Sequence, residues 1–172
     1  MYDMSRVNTR GYFDQMSDED RWQAKKRLAE QRTEDYFNNH YAAAPSLPEK
    51  LNGDEPWFVK EYWEFYKTTR GFHPRSINSN GHWNATSSVS FMNTPLMSFA
   101  GDIRCPVLLI QGEKAHSRYF SEDAFKLLKG NNKELLIIPS ATHTDLYDNK
   151  KGFIPFEKII SFYQKALTGE RR

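Results

Sequence analysis

Cysteine is almost missing from this chain: one residue, Cys105, in 172. That rules out an internal disulfide framework and a cysteine-rich metal site. Standing before Pro106 at the entrance to an apolar run, the thiol is expected to be buried and structural. An excess of one charge sign is missing too. Twenty-four Lys and Arg are interspersed with 22 Asp and Glu, for a net charge of +2. No basic stripe is therefore present to neutralise phosphates, which argues against a nucleic-acid partner, and Arg171-Arg172 is too short for a basic arm. No apolar run approaches the roughly 20 residues that a membrane-crossing helix needs. Met1-Tyr2-Asp3-Met4 begins no signal peptide. No membrane partner and a cytoplasmic location are the resulting expectations.

Aliphatic material is also scarce. The chain is 38% hydrophobic with a mean hydropathy of -0.78, and 15% of it is Phe, Trp or Tyr. The length suits one domain, but the composition suits a partial core with amphipathic helices better than a self-sufficient sheet protein. A short helix is expected around Ser5 to Arg10. Ser17 precedes Asp18-Glu19-Asp20, an N-cap followed by acids that suit the positive end of a helix dipole; a long, solvated helix should run from there to about Tyr41. Residues 42–56 form a Pro- and Gly-containing linker. Val59, Tyr62, Trp63 and Tyr66 recur at three- and four-residue steps, one face of a second helix, with Gly71 as its stop. A further short helix over Ser90 to Phe99 is interrupted by Pro95.

The last third differs in character. Val107 to Gln111 and Leu135 to Ile138 are continuous apolar runs without alternation, the pattern of parallel strands covered on both faces. A helix capped by Ser121 and stopped at Gly130 separates them, so the segment reads as one strand–helix–strand unit with a right-handed crossover. A final helix starts at Pro155, with Phe156, Ile159, Ile160, Tyr163 and Leu167 on one stripe. The expected fold class is α/β, with residues 1–100 as a helical region and residues 101–172 as the strand-bearing part. Two parallel strands are too few to stand alone. The missing neighbours must come from another polypeptide, an oligomer or residues upstream.

The first strand opens onto Gly112-Glu113 and the second onto Ala141-Thr142-His143. Around them, Gly112-Glu113-Lys114-Ala115-His116-Ser117-Arg118-Tyr119-Phe120-Ser121-Glu122-Asp123-Ala124 and Ala141-Thr142-His143-Thr144-Asp145-Leu146-Tyr147-Asp148 resemble the last two motif blocks of an α/β-hydrolase. The branch concerned is that of small bacterial and fungal hydrolases related to dienelactone hydrolases. Met1-Tyr2-Asp3-Met4-Ser5-Arg6-Val7 and Arg75-Ser76-Ile77-Asn78-Ser79-Asn80-Gly81 are similar to the same branch. The likeness runs along nearly the whole chain but covers only the C-terminal half of the family's length. It implies a partial α/β-hydrolase fold holding the last two strands, with residues 5–100 as helices over the active site. It also implies hydrolysis of a small-molecule ester or similar acyl bond through a serine, a histidine and an acid, without a cofactor or metal.

In that scheme His143 is general base and acid. Glu113, one residue past the strand-terminal glycine, could orient it; Asp3 is the other candidate acid, and a surface or ion-paired glutamate is the competing reading of Glu113. The position where many relatives carry aspartate is Ala115. His116 is read as packing in its loop. Asp145 and Asp148 could be joined to His143 in a metal set, but their spacing matches no recognised loop, and backbone hydrogen bonding is the preferred role. The nucleophile itself is missing: none of the nine glycines forms a Gly-x-Ser-x-Gly elbow. Ser117 and Ser140 lack the strained strand-to-helix turn that exposes a reactive hydroxyl. Two readings follow. The chain is the C-terminal segment of an esterase-like enzyme, inactive alone and completed by an N-terminal half in trans. Alternatively, it is a non-catalytic remnant that oligomerises through open strand edges.

Overall fold

The computed structural model describes residues 2–168; Met1 and residues 169–172, which include Arg171 and Arg172, lie outside the described residues. The chain divides into two compact units, residues 3–96 and residues 97–172 joined by the first two. As a whole it mixes helices with a two-stranded parallel sheet, an α/β composition.

The first unit is helical. Helix α1, Met4–Arg10, starts where the Asp3 carboxylate accepts the Arg6 N–H at 2.9 Å. Helix α2, Asp18–Asn38, has a reciprocal cap: Ser17 Oγ accepts the Asp20 N–H while the Asp20 carboxylate accepts the Ser17 N–H. Such a box contributes about 1 kcal/mol. The helix ends at Asn39, which takes the left-handed conformation. Its apolar stripe packs little, because Trp22, Tyr36 and Phe37 are 57%, 82% and 78% exposed.

Helix α3, Trp57–Tyr66, stops at Lys67, ahead of the expected glycine stop. Gly71 serves another purpose: a Cβ there would lie 2.4 Å from the Phe65 ring. Helix α4 is the single turn Ile77–Asn80. Helix α5, Ser87–Asn93, ends two residues before Pro95. The residue preceding a proline is pushed out of helical space, and Thr94 is already extended at φ -122°, ψ 92°. An isolated antiparallel bridge joins Ala43 to Asn84.

The second unit carries strand β1, Val107–Gly112, helix α6, Arg118–Leu127, and strand β2, Lys133–Ile138. The strands are parallel, with Val107 opposite Lys133 and Gly112 opposite Ile138. None of the eight apolar residues Val107 to Ile110 and Leu135 to Ile138 is fully buried. Helix α6 begins earlier than expected. Ser117 is its N-cap residue and Ser121 lies inside it, because Phe120, Ala124 and Leu128 form the buried stripe that sets the helix phase. Cys105 also departs from expectation, being exposed. Strand pairing starts only when the Val107 N–H reaches the Asn132 carbonyl at 3.0 Å, so the thiol belongs to the turn ahead of it. Helix α7, Phe156–Thr168, is entered through Pro155, whose carbonyl accepts the Ile159 N–H. Phe156, Ile160, Tyr163 and Leu167, one stripe of it, are 53–83% exposed.

Candidate functional site

The loops after β1 and β2 converge because Gly112 allows them to. A Cβ at Gly112 would stand 2.4 Å from the Ala141 carbonyl oxygen and 2.6 Å from that of Thr142. No side chain fits in that space. The bare backbone lets the Lys114 N–H donate to the Ala141 carbonyl at 2.9 Å and the Glu113 N–H to the Ile138 carbonyl at 2.9 Å. The loop carrying His143 is thereby clamped to the loop carrying Ser117.

The clamp brings His143 Nδ1 to 2.7 Å from Ser117 Oγ, across 26 residues of sequence. On the other side of the ring, Nε2 lies 2.9 Å from the Tyr147 hydroxyl. Behind Ser117, Gln111 donates from Nε2 to Ser117 Oγ at 3.2 Å, and Ser121 Oγ donates to Gln111 Oε1 at 2.9 Å. Ser117 and Ser121 are fully buried and Gln111 is 3% exposed. Four polar side chains from β1, α6 and the two loops therefore form one hydrogen-bonded row. The large majority of buried polar groups are hydrogen-bonded, and this row supplies the pairing. His116 packs beside it at 4% exposure, its ring 5.3 Å from that of His143 and edge-on to Tyr2.

The loop after β2 is braced independently. Asp145 is 2% exposed; its carboxylate accepts the Thr142 N–H at 3.0 Å and pairs with Lys151 at 2.9 Å. Burial pulls its pKa upward, but the Thr142 and Lys151 bonds outweigh that and hold it below the usual carboxylate range. Asp148 accepts the Lys150 N–H. Both aspartates thus bond to backbone at the loop. Glu113 does the same from the loop after β1, its carboxylate accepting the Ser140 N–H at 2.8 Å where Ser140 takes a left-handed φ of 59°. Of the three residues singled out by sequence, His143 holds the centre, Glu113 shapes its loop, and Asp3 caps α1.

Known proteins offer likeness without an activity. The chain is 44% identical to the uncharacterized protein PA2218 of Pseudomonas aeruginosa over 97% of its own length and 44% of that protein's. It is 27% identical to the uncharacterized protein YcjY of Escherichia coli, over 79% of this chain and 44% of that one. The crystal structure of hypothetical protein PA2218 superposes with a TM-score of 0.90 at 42% identity, covering 96% of this chain and 51% of that chain. No family model matches. The chain thus spans about half the length of the relatives it matches. The strand–helix–strand unit described above therefore recurs in a solved structure.

Three members of the row escaped the sequence reading. Ser121 was expected as a helix cap, and Ser117 drew attention only as a nucleophile that it cannot be, since its Oγ is enclosed. Gln111 did leave a signal: an amide closing the run Val107-Leu108-Leu109-Ile110 is costly to bury without partners.

Proposed function

We propose that this chain is the histidine-bearing C-terminal segment of a serine-type α/β-hydrolase, a partial hydrolase fold acting on an ester or similar acyl bond and inactive by itself. One observation carries the reading: His143 follows β2 of a parallel strand–helix–strand unit, with one ring nitrogen gripped by a buried residue and the other on the outer side at Tyr147, which is 40% exposed. A general base needs that asymmetry, one nitrogen held and one presented. In the reaction His143 takes the proton from a serine hydroxyl as it attacks the acyl carbon, then returns it to the leaving alkoxide. The serine and the oxyanion hole are supplied from outside this chain, by a polypeptide equivalent to the other half of the longer relatives. Glu113 contributes by setting the loop that carries His143. The substrate is a small molecule, and cytoplasmic residence belongs to the same reading. Among the described residues no helix is long and apolar enough to cross a membrane.

The test is complementation. Mixing this chain with a separately expressed polypeptide matching the remainder of the Pseudomonas relative should restore cleavage of a short-chain nitrophenyl ester. His143→Ala should then lower the rate by at least about 100-fold. A complex of the correct mass that cleaves nothing overturns the reading. That result would favour the second one, a non-catalytic oligomerising module, which the half-covered strands and the exposed stripe of α7 support.

A further inference from the structure

Ser117 has two hydrogen-bond partners in the row and one proton to give. The oxygen can accept from Gln111 Nε2–H and from Nδ1–H together, but the proton of the enclosed Ser117 would then have neither row partner as acceptor. It is satisfied when Gln111 donates to Ser117 and Ser117 donates to His143 Nδ1. An Nδ1 that accepts is unprotonated. The neutral ring must then carry its hydrogen on Nε2, directed at the Tyr147 oxygen 2.9 Å away. At the far end the Ser121 hydroxyl donates to Gln111 Oε1, in keeping with an amide whose N–H faces Ser117. We propose that Ser117, backed by Gln111 and Ser121, is the positioning residue of His143 in place of a carboxylate, and that this neutral relay holds the ring at rest as the Nε2–H tautomer.

The resting ring presents a proton where a general base must present a lone pair. Catalysis through Nε2 needs the other tautomer, and the row keeps every member paired in that state when it reverses as a whole. The Gln111 amide turns over so that its N–H meets Ser121 Oγ, and Ser117 donates to Gln111 Oε1. The Nε2 proton is given up to water, and Nδ1 takes a proton from water during a transient opening of its loop, its N–H then donating to Ser117 Oγ. No charge is created in the interior by that reversal, which is why enclosed side chains can carry it. Each bond in the row is exchanged for one of the same kind, so the two polarities differ by a modest free energy and not by a broken network. A carboxylate at Nδ1 would permit only the base-competent polarity; the neutral relay permits both. This consequence for catalysis rests on the hydrolase reading. The tautomer itself does not.

The experiment is imidazole nitrogen-15 NMR on the 172-residue chain above neutral pH, with the His143 signals assigned by their loss in His143→Gln. In the wild type, the ring with hydrogen on Nε2 should predominate by about tenfold, the bias expected of one buried hydrogen bond. Gln111→Glu keeps the shape but replaces the donor to Ser117 with an acceptor, so the Nδ1–H ring should become the major form. Ser117→Ala should bring the two forms near equality. A predominant Nδ1–H ring in the wild type, or a ratio unmoved by Ser117→Ala and Gln111→Glu, overturns the relay. If Gln111→Glu does not fold, Ser117→Ala decides alone. Complementation separates the two readings: an Nε2–H ring with a silent complex removes the hydrolase and leaves the relay. An active complex with an unmoved ratio removes the relay alone.

Discussion

The two units of this chain differ in how they enclose polar side chains. Residues 3–96 put polar groups at helix ends and leave large rings outside. Among the described residues of that unit, Met92 is the one buried hydrophobic side chain, while Trp22, Tyr36, Phe37 and Trp57 are more than half exposed. Its order is local, written in caps at Asp3 and Ser17 and in hydrogen bonds such as Gln31 and the Ala42 N–H to Asp35 Oδ1. The strand-bearing unit also leaves rings outside, on α7, but it encloses a connected set of polar groups. It buries Gln111, Ser117, Ser121, Thr144 and Asp145 together with Phe120, Ala124 and Ala141. A buried polar group tolerates no misplacement of its partner, whereas a capped surface helix tolerates a good deal. Precise geometry therefore belongs where the polar groups are enclosed, and His143 is found there.

The comparison breaks most severely at Gly112. Gly112→Ala drives a Cβ into the Ala141 carbonyl and should cost about 3 kcal/mol in denaturant unfolding of the strand-bearing unit. It should also part the His143 and Ser117 loops, scrambling the His143 tautomer signal. An unchanged unfolding midpoint would mean that the clamp yields freely.

A smaller effect is expected at Asp145, where the comparison acquires a pH dependence. Its folded pKa lies below the unfolded one, so the stabilisation it brings is present above the unfolded value and lost as the pH falls through the folded one. Asp145→Asn should lower stability by roughly 2 kcal/mol near neutrality. The difference in melting temperature from wild type should close as the solution is acidified below about pH 4. A gap that stays constant across that range would assign the effect to packing.

Ser17→Ala gives the smallest change and sharpens the contrast between the units. Removing the cap of α2 should cost about 1 kcal/mol of helical stability, seen in far-UV circular dichroism on warming, with the His143 tautomer ratio unmoved. A shifted ratio would show that the cap is felt beyond its own helix.

How much of this was legible follows from the range of each interaction. The cap at Ser17, the start of α1 near Ser5 and the break before Pro95 depend on neighbours within a few residues, and all were readable. So were the parallel strands, since Leu108-Leu109-Ile110 and Leu135-Leu136-Ile137-Ile138 show no alternation. Gly71 was misjudged because its reason is a ring approaching from Phe65, not a helix end. Ser121 was misjudged because a serine before two acids looks like a cap, and only the burial of Phe120 and Ala124 shows that the helix is already under way.

Sequence by itself therefore determined the order of the longer elements, the parallel pairing of two apolar strands and the place of His143 after the second. Tertiary structure alone decided what each nitrogen of that histidine meets. Ser117 reaches Nδ1 from 26 residues away, and it does so because the strand register sets Gly112 opposite Ile138 and a missing Cβ lets two backbones touch. Periodicity and capping are properties of a few consecutive residues. A hydrogen-bonded row through β1, α6 and two loops is a property of their packing, and no local pattern records it.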